Sequence, residues 1–371
     1  MELIVCNATL DRVGLIEELT SLVWTRRYQT VGDLSLLVPY RDDYAALLVD
    51  GALLLKRGGT EAMEICYRHI SKDEQGVEQI EVQGHTLMSW LDHRVMLSQI
   101  KSSSLTGQAI LLRHLIQNIT APVDAARAIP LTDIYSRADY GDAAISDYAS
   151  EEHAVVRDSF ESLLADSELG FRVITSTAAR KHSLDVFRGR DLTTGQRVNN
   201  PCIFSVDFDT LGEQNYTHGT EALRTTAYVY GGDNGKMILV DGGLTGLARR
   251  EIAVEASDIT RVYTDDNGNS VTLTVAKLNN ALTQRGKEEL KKCLEEQTFE
   301  GKLNVFGQTK YGTDFDIGDR VTCISKRWGV SIDVTITEVS ETYQGNKTEL
   351  VATFGDGTPS LSKMIRQAAK R

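Results

Sequence analysis

Two stretches near opposite ends of the chain follow the same plan. Lys56-Arg57-Gly58-Gly59 is followed by Ile70-Ser71, by Gln75-Gly76, and by a strand-like run ending near Gly84. Lys326-Arg327-Trp328-Gly329 is followed by Val339-Ser340, by Gln344-Gly345, and by a run ending at Gly355. The spacings agree to within one or two residues. Each stretch reads as strand, turn, strand, hairpin, strand, because apolar and β-branched runs are bounded by glycine turn signals. Short matches between hairpins also arise by chance. If the echo is a duplication, it predicts two related β-barrels in one chain, separated by inserted α+β material.

The remaining sequence fits that outline. Residues 1–100 read as a first barrel of short strands closed by a helical turn at Leu87–His93. Residues 101–190 change period: Ala109, Leu112, Leu115, Ile116 and Ile119 form one helical stripe, and Val156, Phe160, Leu163 and Leu164 form another within a helix from about Glu151 to Ser167. Between them, roughly 121–150, lies an expected long loop, and two strands, FRVITST and HSLDVFRG, close this α+β domain. Residues 191–277 read as a β-rich domain, with turns expected at 231–235 and at Asn267-Gly268. Residues 278–356 read as a helix to about Gln297, bearing Leu278, Leu282, Leu290, Cys293 and Leu294, followed by the second barrel. Residues 357–371 read as a terminal amphipathic helix, equally suited to docking a partner or packing on its own domain. The expected fold class is mainly β with α+β insertions: two β-barrel-like domains plus smaller α+β domains.

Charge narrows the function. The 371 residues carry 40 Lys+Arg against 52 Asp+Glu, a net of −12. Such a surface repels phosphate backbones and anionic membranes, although it suits a conduit through which DNA slides without sticking. The N-terminus MELIVCNATLDRVG has acidic residues early and no basic start, which argues against a signal peptide. Five scattered cysteines without a CxxC pair read as reduced thiols. Cys6, Cys66, Cys202 and Cys323 sit in strand-like runs as small core fillers, and Cys293 on the apolar face of its helix.

No nucleotide, hydrolase, zincin or dinucleotide signature is present. The seven histidines are dispersed; His85 and His93 are the nearest pair, too few for a metal site that needs three or four convergent ligands. TDDNGNS at 264–270 lacks the glycine and glutamate that a calcium loop requires. No catalytic residue, cofactor or metal is therefore expected. For a hydrolase reading, His153, Asp158, Glu161 and His182 in the divergent 121–220 region are the residues to test.

The densest acidic stretch is DFDIGDRVTC at 314–323, where Asp314, Asp316 and Asp319 precede a strand. Their order, in YGTDFDIGDRVTCISKRWGVSIDVTITEVSETYQGNKTELVATFG, resembles the closing module of phage tail-tip hub proteins. The positions carrying the resemblance are Tyr311, Asp314-Phe315, Gly318-Asp319, the Ile336-Thr337-Glu338-Val339 phrase with Glu338, and Phe354-Gly355. LTQRGKEELKK, RREIAVEASDI, WTRRYQTVGDLSLLVPY and VQGHTLMSWLDHRVM extend it over nearly the whole chain. Asp314 and Asp319 are expected to accept hydrogen bonds from turn backbone, Gly318 to supply the bend, and Asp316 to face solvent.

The resemblance implies a trimeric hub at the tail tip or baseplate of a phage or prophage. Its two tube-forming barrels per chain would make a pseudo-sixfold ring continuing the hexameric tail tube. The implied partners are a distal tail protein, a tape-measure protein and a spike, fibre or lysin component. DNA would pass through the channel without specific binding, no membrane is involved, and the protein would be made in the host cytoplasm for the virion tail tip. A tail-associated cell-wall hydrolase and a saccharide-binding host-recognition module are the alternatives.

Overall fold

The computed structural model describes all residues except 103, 146–147, 151–152, 232–235, 258, 265–269, 273, 294, 305–306, 308, 346 and 356–371. The expected terminal helix therefore lies outside the described residues. The described residues form two compact units, one of Met1–Asn215 with 299–355, the other of Tyr216–Thr298.

The first unit begins with β1 (Leu3–Cys6), β2 (Arg12–Ile16), β3 (Ser21–Arg27), β4 (Asp33–Pro39), α1 (Asp42–Leu47), β5 (Leu53–Lys56), β6 (Ala62–Lys72) and β7 (Glu78–Thr86). Leu22 and Trp24, Leu34, Leu36 and Val38, and Ile80 and Val82 recur at every second position and share one core with Leu3, Val5, Leu54 and Ile65. That is the period of strands with one buried face. Sequence periodicity missed β2 and α1: six helical residues complete less than two turns, and only Tyr44 is buried. A 3-10 turn, Leu87–His93, follows as expected.

The inserted part contains β8 (Lys101–Ser102), α2 (Gly107–Leu115), β9 (Thr132–Ile134), β10 (Tyr148–Ala149), α3 (Val156–Asp166), β11 (Gly170–Ser176) and β12 (Lys181–Phe187). Ile110, Leu111 and Leu115 of α2 and Phe160, Leu163 and Leu164 of α3 pack on Phe171, Val173, Leu184 and Val186 of β11–β12. The expected 121–150 loop is partly ordered by pairing, β9 parallel to β12 and β10 antiparallel to β8. Such short strands have no periodicity of their own.

Two histidines are buried in this core. His114 donates to or accepts from the Tyr148 hydroxyl at 2.8 Å, and His182 does the same with Thr175 at 2.9 Å. Loss of hydration pulls each down to about 4. The unfolded chain takes up these protons near pH 6.5 and the folded chain only near 4. Their contribution is complete above pH 6.5 and is lost as pH falls towards 4. By pH 5 the loss should reach about 2 kcal/mol per histidine. Urea midpoints measured from pH 7 to 4.5 should fall, and His114→Gln with His182→Gln should flatten that dependence.

The first unit continues through β13 (Ile203–Phe204), a two-residue remnant of the expected CIFSVDF strand, into β14 (Leu211–Gly219). In the second unit, β15 (Thr226–Gly231) pairs antiparallel with β16 (Lys236–Asp241) and parallel with β17 (Glu251–Ala256). β18 (Val262–Thr264) and β19 (Ser270–Thr272) are antiparallel, while the turn residues 265–269 and 232–235 lie outside the described residues. α4 (Val275–Lys291) starts at Thr274, whose hydroxyl accepts the Lys277 N–H at 3.3 Å. It ends six residues before Gln297, so Cys293 lies beyond its last turn and not on its apolar face. Leu278 and Leu282 pack on Ala227, Val229, Val254 and Ala256. The apolar stripe of α4 is thus covered by the sheet that precedes it in sequence, not by the strands with which it was grouped.

β20 (Glu296–Leu303), β21 (Arg320–Ser325), β22 (Val330–Gln344) and β23 (Lys347–Gly355) complete the chain. The architecture is mainly β, dominated by one sheet of order β14-β20-β23-β22-β3-β4-β7-β6-β5-β1-β2, with β21 paired to β22 and β13 paired to β21. The strands of both expected barrels therefore belong to a continuous sheet. The join is β3 on β22, where Ser21–Arg27 pair antiparallel with Glu338–Gln344.

The echo in the sequence corresponds to matching geometry. β5-β6-β7 and β21-β22-β23 are both antiparallel meanders. In each, the first turn carries a glycine at positive φ (Gly58, +77°; Gly329, +65°) and so does the second (Gly76, +84°; Gly345, +56°). The middle strand of each is bulged, between Ile65 and Tyr67 in β6 and between Ile336 and Glu338 in β22. A bulge is a costly, position-specific irregularity, so its repetition carries more weight than the short sequence matches.

Candidate functional site

The acidic stretch folds into a tight turn ahead of β21. Asp314 accepts the Lys310 N–H at 2.8 Å. Gly318, at φ +86°, donates its N–H to the Ile336 carbonyl at 2.8 Å. Asp319 is buried and accepts the Asp316 N–H at 2.9 Å, the Arg190 N–H at 2.7 Å and the Arg190 guanidinium at 2.6 Å. Asp314 and Asp319 thus take backbone donors.

Asp316 is half-buried and tied down instead of free in solvent. It accepts Arg26 Nη1 at 2.8 Å and the Ile317 N–H at 2.8 Å. The reason is non-local: β3 is brought beside the turn by its pairing with β22, and Arg26 points from β3 into it. Arg26 also binds Glu61 through Nε at 3.1 Å and through Nη2, and the Tyr311 hydroxyl at 2.5 Å. Burial alone would lower the proton affinity of Arg26, but Glu61, Tyr311 and Asp316 outweigh it and raise the pKa well above the ordinary arginine value. Burial pushes the Tyr311 phenol up despite the opposing Arg26 charge, so it stays protonated.

The ion pairs continue into the α+β insert. Arg172 of β11 lies 3.9 Å from Asp316 and 3.0 Å from Asp185. Asp185, wholly buried on β12, is held bidentately by Arg137 at 2.9 and 2.8 Å. One chain of charges, Arg137–Asp185–Arg172–Asp316–Arg26–Glu61, therefore ties the insert, β3 and the signature turn together. Each of its carboxylates has a guanidinium partner, so the arrangement suits a clamp better than proton transfer.

Packing reinforces the clamp. The ring of Tyr28 sits edge-on to Phe187 at 5.3 Å, and its hydroxyl donates to the Glu168 and Phe187 carbonyls at 3.1 and 3.3 Å. A Cβ on Gly318 or Gly170 would run into this ring. Two further signature residues meet in an aromatic cluster: Phe204 lies 5.0 Å from Phe315 and 4.8 Å from Phe354, and Tyr311 lies 5.6 Å from Phe315. Phe204, Tyr311 and Phe315 also line a cavity of about 180 Å³ with Leu303 and Leu350. Glu338 receives Arg27 Nε at 2.5 Å, while Gly355, at φ +84°, accepts the Thr337 hydroxyl at 2.6 Å.

The signature residues thus fall into a clamped turn and an aromatic cluster within one unit. Sequence reasoning missed Arg26, Glu61, Tyr28, Arg172 and Arg190. Arg26 and Tyr28 lie inside WTRRYQTVGDL, but nothing local marks their partners, which lie from 35 residues away for Glu61 to 290 for Asp316.

The residues considered for hydrolysis are not assembled into a site. His182 contacts Thr175 and stacks edge-on with Trp90 at 5.0 Å. His153 is exposed at positive φ, Asp158 is exposed on α3, and Glu161 lies 3.7 Å from Arg157. His85 hydrogen-bonds Asp33 at 3.2 Å, a contact that does not involve His93. Among the described residues no group of three or more His, Cys, Asp or Glu could hold a metal, and no helix is long and apolar enough to cross a membrane. Cys66, expected in a core, is exposed because it is the extra residue of the β6 bulge; Cys6, Cys202 and Cys323 are buried.

The two turn substitutions differ in expected effect. Asp314→Ala removes one exposed bond and should cost about 0.5–1 kcal/mol. Asp319→Asn keeps an acceptor but leaves Arg190 unneutralised, and should cost about 1–2 kcal/mol. Calcium titration should show no binding in the parent or in either variant.

A mainly-β chain with this sheet has the fold of phage tail proteins. It resembles the tail protein from Neisseria meningitidis MC58 (TM-score 0.59, 12% identity, 95% of this chain and 96% of that one). The 43 kDa tail protein of prophage MuSo2 from Shewanella oneidensis is similar (TM-score 0.60, 14% identity, 95% and 98%). So is prophage tail protein gp18 from Listeria monocytogenes EGD-e (TM-score 0.54, 15% identity, 100% and 99%). No curated protein matches the sequence. Residues 2–356 match the model of the siphovirus ReqiPepy6 Gp37-like proteins, and the chain belongs to that family.

Proposed function

We propose that the chain is a structural, non-enzymatic component of a phage or prophage tail tip: a hub, three copies of which close into a ring that continues the tail tube. The observation that carries this reading is the pair of bulged meanders joined in one sheet. Three chains with two such segments each offer six similar segments to a sixfold tube. The tube-forming elements are the strands of residues 1–100 and those following α4, and the remaining domains decorate the ring. A net charge of −12 suits a lumen through which DNA slides. The ring would sit at the virion tail tip between a tape-measure and distal tail protein on one side and a spike, fibre or lysin component on the other. The signature residues serve as the clamp that holds the two tube segments and the insert in fixed register.

Native mass measurement of the purified chain should give a trimer, or a monomer that trimerises with tail partners; a stable dimer would contradict the reading. Incubation with purified cell walls should release no muropeptides, and release would favour a hydrolase instead.

A further inference from the structure

The sheet has two unequal halves that repeat one strand order, and the repetition predicts how neighbouring copies join. The first half runs β3-β4-β7-β6-β5 and the second β14-β20-β23-β22, with β21 on β22. β14 is therefore to the second half what β3 is to the first. The side of β22 opposite β23 is taken first by β21, along Val330–Thr335, and then by β3, along Glu338–Gln344.

The equivalent side of β6 is only half used. β5 covers Ala62–Glu64, whereas among the described residues no strand pairs with Tyr67–Lys72 on that side. All six of these residues are exposed, with Tyr67 and Ile70 at 46% and 45%. The segment has no proline, and it continues an eleven-residue strand, the kind of edge that invites pairing. The other end of the sheet is β14, whose Gly212, Glu213 and Asn215 are exposed.

We propose that Leu211–Asn215 of β14 in one copy pairs antiparallel with Tyr67–Lys72 of β6 in the next, repeating between chains the β3-on-β22 join made within one. The occupant is a second copy because the chain's own β14 lies seven strands from β6 in the sheet, roughly 30 Å at the spacing of paired strands. Charge supports the match. Within the chain, basic β3 meets acidic β22, with Arg27 on Glu338 at 2.5 Å. Between chains, Glu213 of β14 would meet the basic stretch of β6, where Arg68 reaches the Ala45 and Leu48 carbonyls and Lys72 pairs with Glu78 at 2.9 Å. Each copy offers one edge of each kind, so the contact is head-to-tail and closes into a ring that leaves neither edge free. The inference rests on the ring reading above.

Disulfide trapping tests it. In a Cys66→Ser background, Glu213→Cys is combined with a cysteine at each of positions 67 to 72 in turn. At least one combination should give reducible bands of two and three chains on a non-reducing gel, and the corresponding single-cysteine variants none. Amides of Tyr67–Lys72 should exchange more slowly in the assembled protein than after dissociation. A trimer by native mass that forms no such crosslink overturns the strand assignment alone. Crosslinking by the β6 cysteine without Glu213→Cys also overturns it, because β6 would then meet β6. A chain that never trimerises overturns both this assignment and the ring.

Discussion

Arg26→Ala should lower the unfolding free energy by about 3–5 kcal/mol, because it removes the cation shared by Glu61 and Asp316, leaving the largely buried Glu61 without its partner and the half-buried Asp316 with only Arg172 at 3.9 Å. The loss should appear as a large shift of the urea midpoint with little change in slope. Arg26→Lys should recover only part of it. A single ammonium cannot reproduce two bonds to Glu61 together with contacts to Asp316 and the Tyr311 hydroxyl. A different replacement separates charge from architecture: Arg26→Met with Glu61→Leu and Asp316→Leu removes the cluster as a whole. It should restore much of the stability, since well-packed apolar groups replace buried ion pairs at little net cost. An Arg26→Ala protein within about 1 kcal/mol of the parent would show that the clamp does not hold the turn to β3.

Gly318→Ala should be nearly as severe, at about 4 kcal/mol. Two effects add: a left-handed backbone at φ +86°, and a Cβ driven into the Tyr28 ring, itself packed on Phe187 and Ile317. Gly312→Ala is the internal control. Gly312 has a similar φ, +78°, but open space where its Cβ would sit, so about 1 kcal/mol is expected there. Combining Gly318→Ala with Tyr28→Leu should lose less than the sum of the two single changes, because shortening the ring relieves the clash. Equal losses at Gly312 and Gly318 would mean that backbone strain alone sets the cost.

Much of this fold was legible in the sequence wherever one face of an element is buried. The alternation in β3 and β4, the stripe of α3 and the Leu278 and Leu282 face of α4 read directly, because each element's own periodicity records its packing; on α2 the expected stripe is displaced, since Ile110, Leu111 and His114 are buried while Ile116 is exposed. The meanders were legible through their turn glycines. What escaped were elements defined by partners remote in sequence: β9, whose three residues are a strand only because β12 lies beside them, and β14, whose nine residues are mostly exposed. The same limit governed the site. Asp314 and Asp319 take backbone donors, as their place ahead of a strand suggested. Asp316 looked solvent-facing because its partner, Arg26, sits at the opposite end of the chain. Cys66 looked like core because a bulge cannot be read from composition.

The central claim is that two related segments per chain build a closed ring of three chains. End-on electron-microscopic averages of the purified, assembled protein test it most directly. The expected result is a ring with threefold symmetry and six similar inner segments around a central channel. A twofold particle, an open filament, or a compact assembly without a channel would contradict it.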